Sequence, residues 1–142
     1  MFDAIATATT FLGRWADDPV GGMSMVSSDV VYTLNVSPDA IQLGGETRGW
    51  DAVNAMMLGI REVFDYSVYR PVMLGADGDA VRFSIELVFR HKPSGELLSG
   101  NMRCEVTVKD GLVVRVDEFV DAPMVEAFMR LFASRGPDAV QA

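Results

Sequence analysis

A chain of 142 residues, of which 49% are hydrophobic, is long enough to build one domain around a proper core. Its formal net charge of −8, with no cluster of Lys and Arg, argues against a nucleic-acid surface and against an anionic membrane surface. A single cysteine and a single histidine exclude an internal disulfide and a multi-histidine metal site, and no stretch approaches the roughly 20 apolar residues of a membrane span.

The N-terminus, Met1-Phe2-Asp3, lacks the basic segment and long apolar run of a signal peptide, so the expected compartment is the cytoplasm. From Phe2 to Ala16 the apolar residues Ile5, Ala8, Phe11, Leu12 and Trp15 recur at spacings of three and four. That predicts an amphipathic helix with Asp3 as N-cap, ended by Asp17-Asp18-Pro19. The Gly21-Gly22 pair makes a helix over 20–28 doubtful beyond one short turn. Val30 to Val36, rich in β-branched residues, suits a first strand closed by Ser37-Pro38-Asp39. Gly44-Gly45 and Gly49 bracket a loop too far from phosphate-binding patterns to mean a nucleotide. Trp50 to Asp65 then carries Val53, Met56, Met57, Ile60, Val63 and Phe64 at helical spacing.

From about Ser67 the chain reads as four antiparallel strands, punctuated by turns at Asp77-Gly78, Ser94-Gly95 and Asp110-Gly111. These turns set a register in which Leu87 faces Met102, Ile85 faces Cys104, Met102 faces Phe119, Cys104 faces Asp117 and Val106 faces Arg115. One face then collects Phe83, Ile85, Leu87, Phe89, Met102, Cys104, Val106, Val108, Val113 and Phe119, with Arg115, Asp117 and Asp121 among them. The other face carries Arg82, Ser84, Glu86, Arg90, Asn101, Arg103, Glu105, Thr107 and Glu118, with Arg103 between Glu86 and Glu118. A last helix with the stripe Val125, Phe128, Met129 and Phe132 runs until Gly136-Pro137, and 136–142 reads as a frayed tail after an ordered 1–135.

This order predicts a single α+β domain over 1–142: a strongly curved antiparallel β-sheet, a cystatin-like half barrel, with helices on its concave face forming a conical pocket. Long twisted strands curl, and a curled sheet half closed by helices leaves a cone-shaped hollow.

Gly49-Trp50-Asp51-Ala52-Val53 opening the long helix, Asp110-Gly111-Leu112-Val113-Val114-Arg115, and the run Asp117-Glu118-Phe119-Val120-Asp121 resemble the nuclear transport factor 2-like superfamily, in its SnoaL-like and ketosteroid isomerase-like branch. The resemblance covers nearly the whole chain in element order. It implies a small homodimer with a conical pocket, among isomerases, cyclases, dehydratases, epoxide hydrolases and proteins without a known reaction. Where ketosteroid isomerases carry a Tyr, an Asp base and a protonated Asp, this chain has Phe11, Leu34 and Cys104. Where limonene epoxide hydrolases carry an Arg and an Asp on a middle strand, it has Ile85 and Leu87, and it keeps only the final Asp121. Fold is therefore better supported than function.

The candidate catalytic groups are Asp121, His91 and Asp117. Asp121, beside Phe89 and Phe119, is either a pocket acid raised by desolvation or the N-cap of the last helix. Asp117 is either a second carboxylate or the ion-pair partner of Arg115. His91, at the Asp121 end of the sheet, is either a proton shuttle or a solvated turn residue. The candidate substrate-binding residues are Tyr32, Asn35, Trp15, Met56, Phe83, Ile85, Leu87, Met102, Cys104 and Phe119, and strand alternation lets at most one of Tyr32 and Asn35 reach the pocket. No cofactor and no metal is expected. The expected ligand is a small, mostly apolar, oxygen-bearing molecule, taken by an acid-base enzyme or by a non-catalytic binding or structural module. A homodimer is expected through the sheet face bearing Glu86, Arg103 and Glu118.

Overall fold

The structure is a computed structural model that describes residues 3–41 and 44–133. The expected helix start at Phe2 and the tail at 136–142 lie outside the described residues.

Helix α1 (Ala4–Asp17) is capped by Asp3, whose carboxylate accepts the backbone N–H groups of Ile5 (3.0 Å) and Ala6 (3.3 Å). It buries Ala8, Phe11, Leu12 and Trp15, the stripe its spacing predicts. A short helix α2 (Pro19–Met23) follows, with Pro at its first position and Asp18 accepting from Gly21 N–H at 3.1 Å. It crosses close over α1: a Cβ at Gly22 would lie 3.3 Å from the Trp15 backbone nitrogen.

Strand β1 (Val26–Leu34) begins earlier than the sequence predicts and pairs with a strand the sequence does not announce, β2 (Gly45–Arg48). Helix α3 (Trp50–Val63) starts at Gly49, whose φ of 89° suits glycine, and buries Val53, Met56 and Met57. The Trp50 indole donates to the Met23 carbonyl at 2.9 Å, tying α3 to α2. The meander then runs through β3 (Phe64–Asp77), β4 (Ala80–His91), β5 (Leu97–Lys109) and β6 (Leu112–Phe119), and α4 (Ala122–Ala133) ends the described chain.

The six strands form one curved, unclosed sheet in the order β2-β1-β6-β5-β4-β3. Every pair is antiparallel except β1 with β6, which run parallel. Helices α1 and α3 pack against the sheet, and a core of Phe11, Leu12, Met57, Phe83, Ile85 and Val106 seals the space between them. A second cluster, Val36, Phe64, Leu98 and Val125, lies beneath α4.

Two registers differ from the turn-based expectation. Between β4 and β5 the connection spans Lys92 to Glu96, so Ile85 faces Met102 and Phe83 faces Cys104. That slip of two residues leaves every side chain on its expected face. Between β5 and β6 the Asp110-Gly111 turn forms as expected, with both φ values positive (52° and 78°) and Lys109 paired to Leu112. The ladder then breaks: Val108 pairs with Val113 but Thr107 pairs with Arg115, leaving Val114 as an extra residue. A bulge of one residue moves everything after it to the opposite face.

Candidate functional site

The bulge at Val114 decides which carboxylate the concave side receives. Val116 and Glu118 turn inward, whereas Arg115, Asp117 and Phe119 turn outward, and this corrects the expected faces of Arg115, Asp117, Glu118 and Phe119. Phe119 is 52% exposed, so it does not line a pocket wall. Asp117 is held outside by the Arg115 guanidinium (Nε to Oδ2, 2.9 Å) and the Thr33 hydroxyl, which donates at 2.6 Å. Its position beside Arg115 raises the guanidinium's pKa through their hydrogen bond and opposite charge.

Glu118 occupies the place foreseen for Asp117. Its Cα partners are Leu34 on β1 and Cys104 on β5, and the residue is 7% exposed. Burial pushes its carboxyl up to about 8, and no basic group or hydrogen-bond donor among the described residues offsets the loss of hydration. A carboxyl so placed is mostly a neutral acid at pH 7, able to donate a proton, and its ionised form becomes available as a base as pH rises through about 8.

Glu118 stands on the wall of a cavity of about 320 Å³, at the small end of the range of about 300–1,000 Å³ usual for small-molecule sites. Most of the wall is apolar and aromatic. Trp15 stacks on Tyr32 (centroids 5.7 Å, planes 14° apart), and Tyr66 stacks on Phe89 at 4.4 Å. Leu87, Leu98, Met102, Val120, Met124 and Val125 close the remainder, so the cavity lies at the α4 end of the sheet. Gly100 adds room there: a Cβ on it would meet the Met124 methyl at 3.6 Å.

Of the expected substrate-binding residues, Trp15, Tyr32, Leu87 and Met102 line this cavity. Phe83, Ile85, Cys104 and Met56 do not: they are buried among α1 and α3, because Ala8, Phe11 and Leu12 fill the narrow end of the cone. Asn35 is also absent from the wall. Its side-chain amide donates to the Val120 carbonyl (3.0 Å) and accepts from the Val120 N–H (2.8 Å), clamping the end of β1 to the chain after β6. Burial, then the charges of Asp117 and Glu105, push the Cys104 thiol up to about 12, far from a nucleophilic thiolate.

Asp121 reaches the rim of the cavity but is exposed, and its carboxylate accepts the Met124 N–H at 3.2 Å in the manner of an N-cap. His91 is not brought to the cavity. Its Nδ1 lies 2.8 Å from the Ser94 hydroxyl, and its ring sits against Phe64 (5.4 Å) and Phe128 (5.7 Å). Burial lowers its pKa, partly opposed by the charge of Glu96.

Sequence reasoning missed Glu118, Tyr66 and Tyr69. For Glu118 a signal existed, since Val114-Arg115-Val116-Asp117 alternates apolar and charged residues and already argues for charges outward. Tyr66 and Tyr69 are three apart, and only the bulge between the Tyr66 and Val68 pairings turns both inward. Among the described residues no cluster of three His, Cys, Asp or Glu side chains could hold a metal ion, and no helix is long and apolar enough to cross a membrane.

No protein-family model and no curated protein matches the chain. Solved structures do match. A protein of unknown function with a cystatin-like fold from Xanthomonas campestris is 23% identical, with 90% of this chain and 98% of that one covered at a TM-score of 0.75. A nuclear transport factor 2-like protein from Burkholderia xenovorans is 18% identical over 87% and 93% (TM-score 0.75). A SnoaL-like candidate polyketide cyclase from Mesorhizobium loti is 15% identical over 84% and 100% (TM-score 0.69). The curved sheet, the helices on it and these likenesses together give the chain the nuclear transport factor 2-like fold.

Proposed function

We propose that the cavity binds a small, uncharged, mostly apolar molecule carrying an oxygen, and that Glu118 exchanges a proton with it without a cofactor. The observation that carries this reading is a buried carboxyl, raised to about 8, on the wall of an aromatic cavity. Its neutral form can protonate an oxygen, and its ionised form, which grows as pH rises towards about 8, can take a proton from a carbon beside a carbonyl. Asp121 is exposed and engaged at the start of α4, which makes it the weaker candidate.

The test uses 1-tetralone, an uncharged ring ketone, in D2O. The protein should accelerate exchange of the hydrogens beside the carbonyl, with an inflection near pH 8, and Glu118→Gln should abolish the acceleration. Binding of 1-tetralone without exchange would favour a non-catalytic binding module. Equal exchange by the parent and Glu118→Gln would overturn the role of Glu118.

We also propose that two copies pair through the outer sheet face. The row Val72, Ser84, Arg103, Phe119 crosses that face with exposed apolar residues at both ends, Val72 being 57% exposed. The expected row with Arg103 between Glu86 and Glu118 is not formed: Arg103 lies beside Ser84 and Phe119, and Glu86 pairs with Arg70 at 2.7 Å. Sedimentation should show a dimer that Phe119→Lys dissociates, and a monomeric parent at micromolar concentration would remove this proposal.

A further inference from the structure

Every residue of β5 from Leu98 to Met102 borders the cavity. Strand alternation turns only the side chains of Leu98, Gly100 and Met102 inward, and Ser99 and Asn101 are exposed. The register with β4 is unbroken here, so no bulge turns those two in. Ser99 and Asn101 therefore meet the cavity through their main chain, where Gly100 has no side chain to cover it. The backbone does not demand glycine at this position: Gly100 is not among the residues with positive φ, and a Cβ on it would meet nothing closer than the Met124 methyl at 3.6 Å, an ordinary contact. A strand-interior glycine free of both needs marks a place where something else comes close to the backbone.

That bare stretch of main chain is also a free strand edge. In an antiparallel pair, hydrogen-bonded and non-bonded residue pairs alternate. The His91 N–H donates to the Glu96 carbonyl at 2.8 Å, so the bonded pairs further along are Phe89 with Leu98, Leu87 with Gly100 and Ile85 with Met102. The N–H and C=O groups of Ser99 and Asn101 consequently point away from β4, to the side where β6 would lie. Strand β6 pairs with β5 only as far as Phe119, opposite Arg103, and the chain then leaves for α4. Among the described residues no other segment takes the place of β6 beside Ser99 and Asn101. An edge of this kind is a template for an extended partner.

We propose that the free edge of β5 reads the ligand by its main chain, and that the ligand is a small uncharged amide shaped like one capped residue of an extended peptide. The ligand's N–H donates to the Ser99 carbonyl and its C=O accepts from the Asn101 N–H, so that it lies beside Gly100 as a parallel strand would. Opposed residues of paired strands share a face, which sends the ligand's apolar side chain inward, past Gly100, among the aromatic residues of the wall. A cavity of about 320 Å³ takes one such unit rather than a longer peptide. A free carboxylate on it is disfavoured, because Asp121 stands on the same rim. This rests on the reading of the cavity as a ligand site and adds the ligand's polar edge to it.

The experiment uses N-acetyl-L-phenylalanine methylamide on the full chain, with affinity and amide hydrogen exchange as readouts. In the free protein the Ser99 and Asn101 amides should exchange fast and those of Gly100 and Met102 slowly. Saturation with the probe should slow the Asn101 amide by at least about ten-fold. Methylating the probe's phenylalanine nitrogen, which removes the N–H that meets Ser99, should weaken binding by about ten-fold. The methyl ester, which loses only the N–H that points away from β5, should bind like the methylamide. Gly100→Val should abolish probe binding by filling the path of the side chain, while its urea midpoint stays at or above that of the parent. Equal affinity for the N-methylated probe would overturn the proposal, as would an Asn101 amide whose exchange the probe leaves unchanged. A parent that binds 1-tetralone but not the methylamide would overturn it too and leave the cavity's reading as a ligand site standing, whereas binding of neither would remove both.

Discussion

Asp117 and Glu118 are adjacent in the chain and stand on opposite faces of β6, one in an ion pair 2.9 Å from Arg115 and the other buried on a cavity wall. Alternation along a strand requires that opposition. Which of the two goes inward is decided by the single extra residue Val114, so the chemistry of the pocket depends on a bulge four residues before Glu118.

Glu118 makes stability depend on pH. Its carboxyl titrates at about 8 when folded, against an ordinary value of 4.5, so between these values the folded chain holds a proton that the unfolded chain has lost. Stability from this group is therefore full below pH 4.5 and falls as pH rises through about 8. The accumulated loss is on the order of a few kcal/mol, since each pH unit is worth about 1.4 kcal/mol. Urea unfolding at pH 5 and pH 9 checks it: Glu118→Gln should gain stability relative to the parent as pH rises, and a constant difference between them would refute the shift.

Much of the fold was legible because turn chemistry and apolar spacing act locally. Asp3 caps α1, Ala8, Phe11, Leu12 and Trp15 face inward, and the Asp110-Gly111 turn takes the positive φ values its residues permit. The site was less legible because bulges are not written in turn residues. A two-residue slip at the Ser94-Gly95 connection left Leu87 and Met102 on the concave face, whereas one extra residue at Val114 exchanged Asp117 for Glu118. The depth of the pocket was illegible for another reason. Phe83, Ile85 and Cys104 do face inward, but whether an inward residue meets a ligand or a helix depends on how far α1 reaches into the cone.

Arg61 braces the helices around the site. Its guanidinium donates to the carbonyls of Trp15 and Ala16 (2.8 Å to Ala16), which lie in the last turn of α1 where carbonyls lack helical partners. Arg61→Met keeps the aliphatic stem and removes those bonds, and should cost about 2–3 kcal/mol in denaturant unfolding. Arg61→Lys should recover part of the loss. Equal stability of Arg61→Met and the parent would show that the carbonyls find other partners.

Cys104 should be inert in the folded protein. The thiol is buried and titrates at about 12, so the thiolate fraction at pH 8 is negligible. Labelling with iodoacetamide at pH 8 should proceed at the rate of global unfolding and become fast in denaturant. Rapid stoichiometric labelling of the native chain would show that the strand around Cys104 opens locally.

Asp121 separates capping from catalysis. Its carboxylate accepts the Met124 N–H at 3.2 Å, and its backbone carbonyl accepts the Val125 N–H at 3.1 Å, so it stands where an N-cap of α4 stands. Asn caps about as well as Asp, whereas Ala at such a position costs about 0.5–2 kcal/mol. Asp121→Asn should therefore unfold like the parent, and Asp121→Ala should be less stable by about 1 kcal/mol. Because α4 supplies Met124 and Val125 to the cavity wall, Asp121→Ala should also loosen ligand binding, by a dissociation rate that rises with the helix's freedom to move. Proton exchange on 1-tetralone gives the deciding comparison: it should survive Asp121→Asn and fail in Glu118→Gln. Loss of exchange in Asp121→Asn at unchanged stability and unchanged ligand affinity would transfer the catalytic role from Glu118's wall to the carboxylate at the rim.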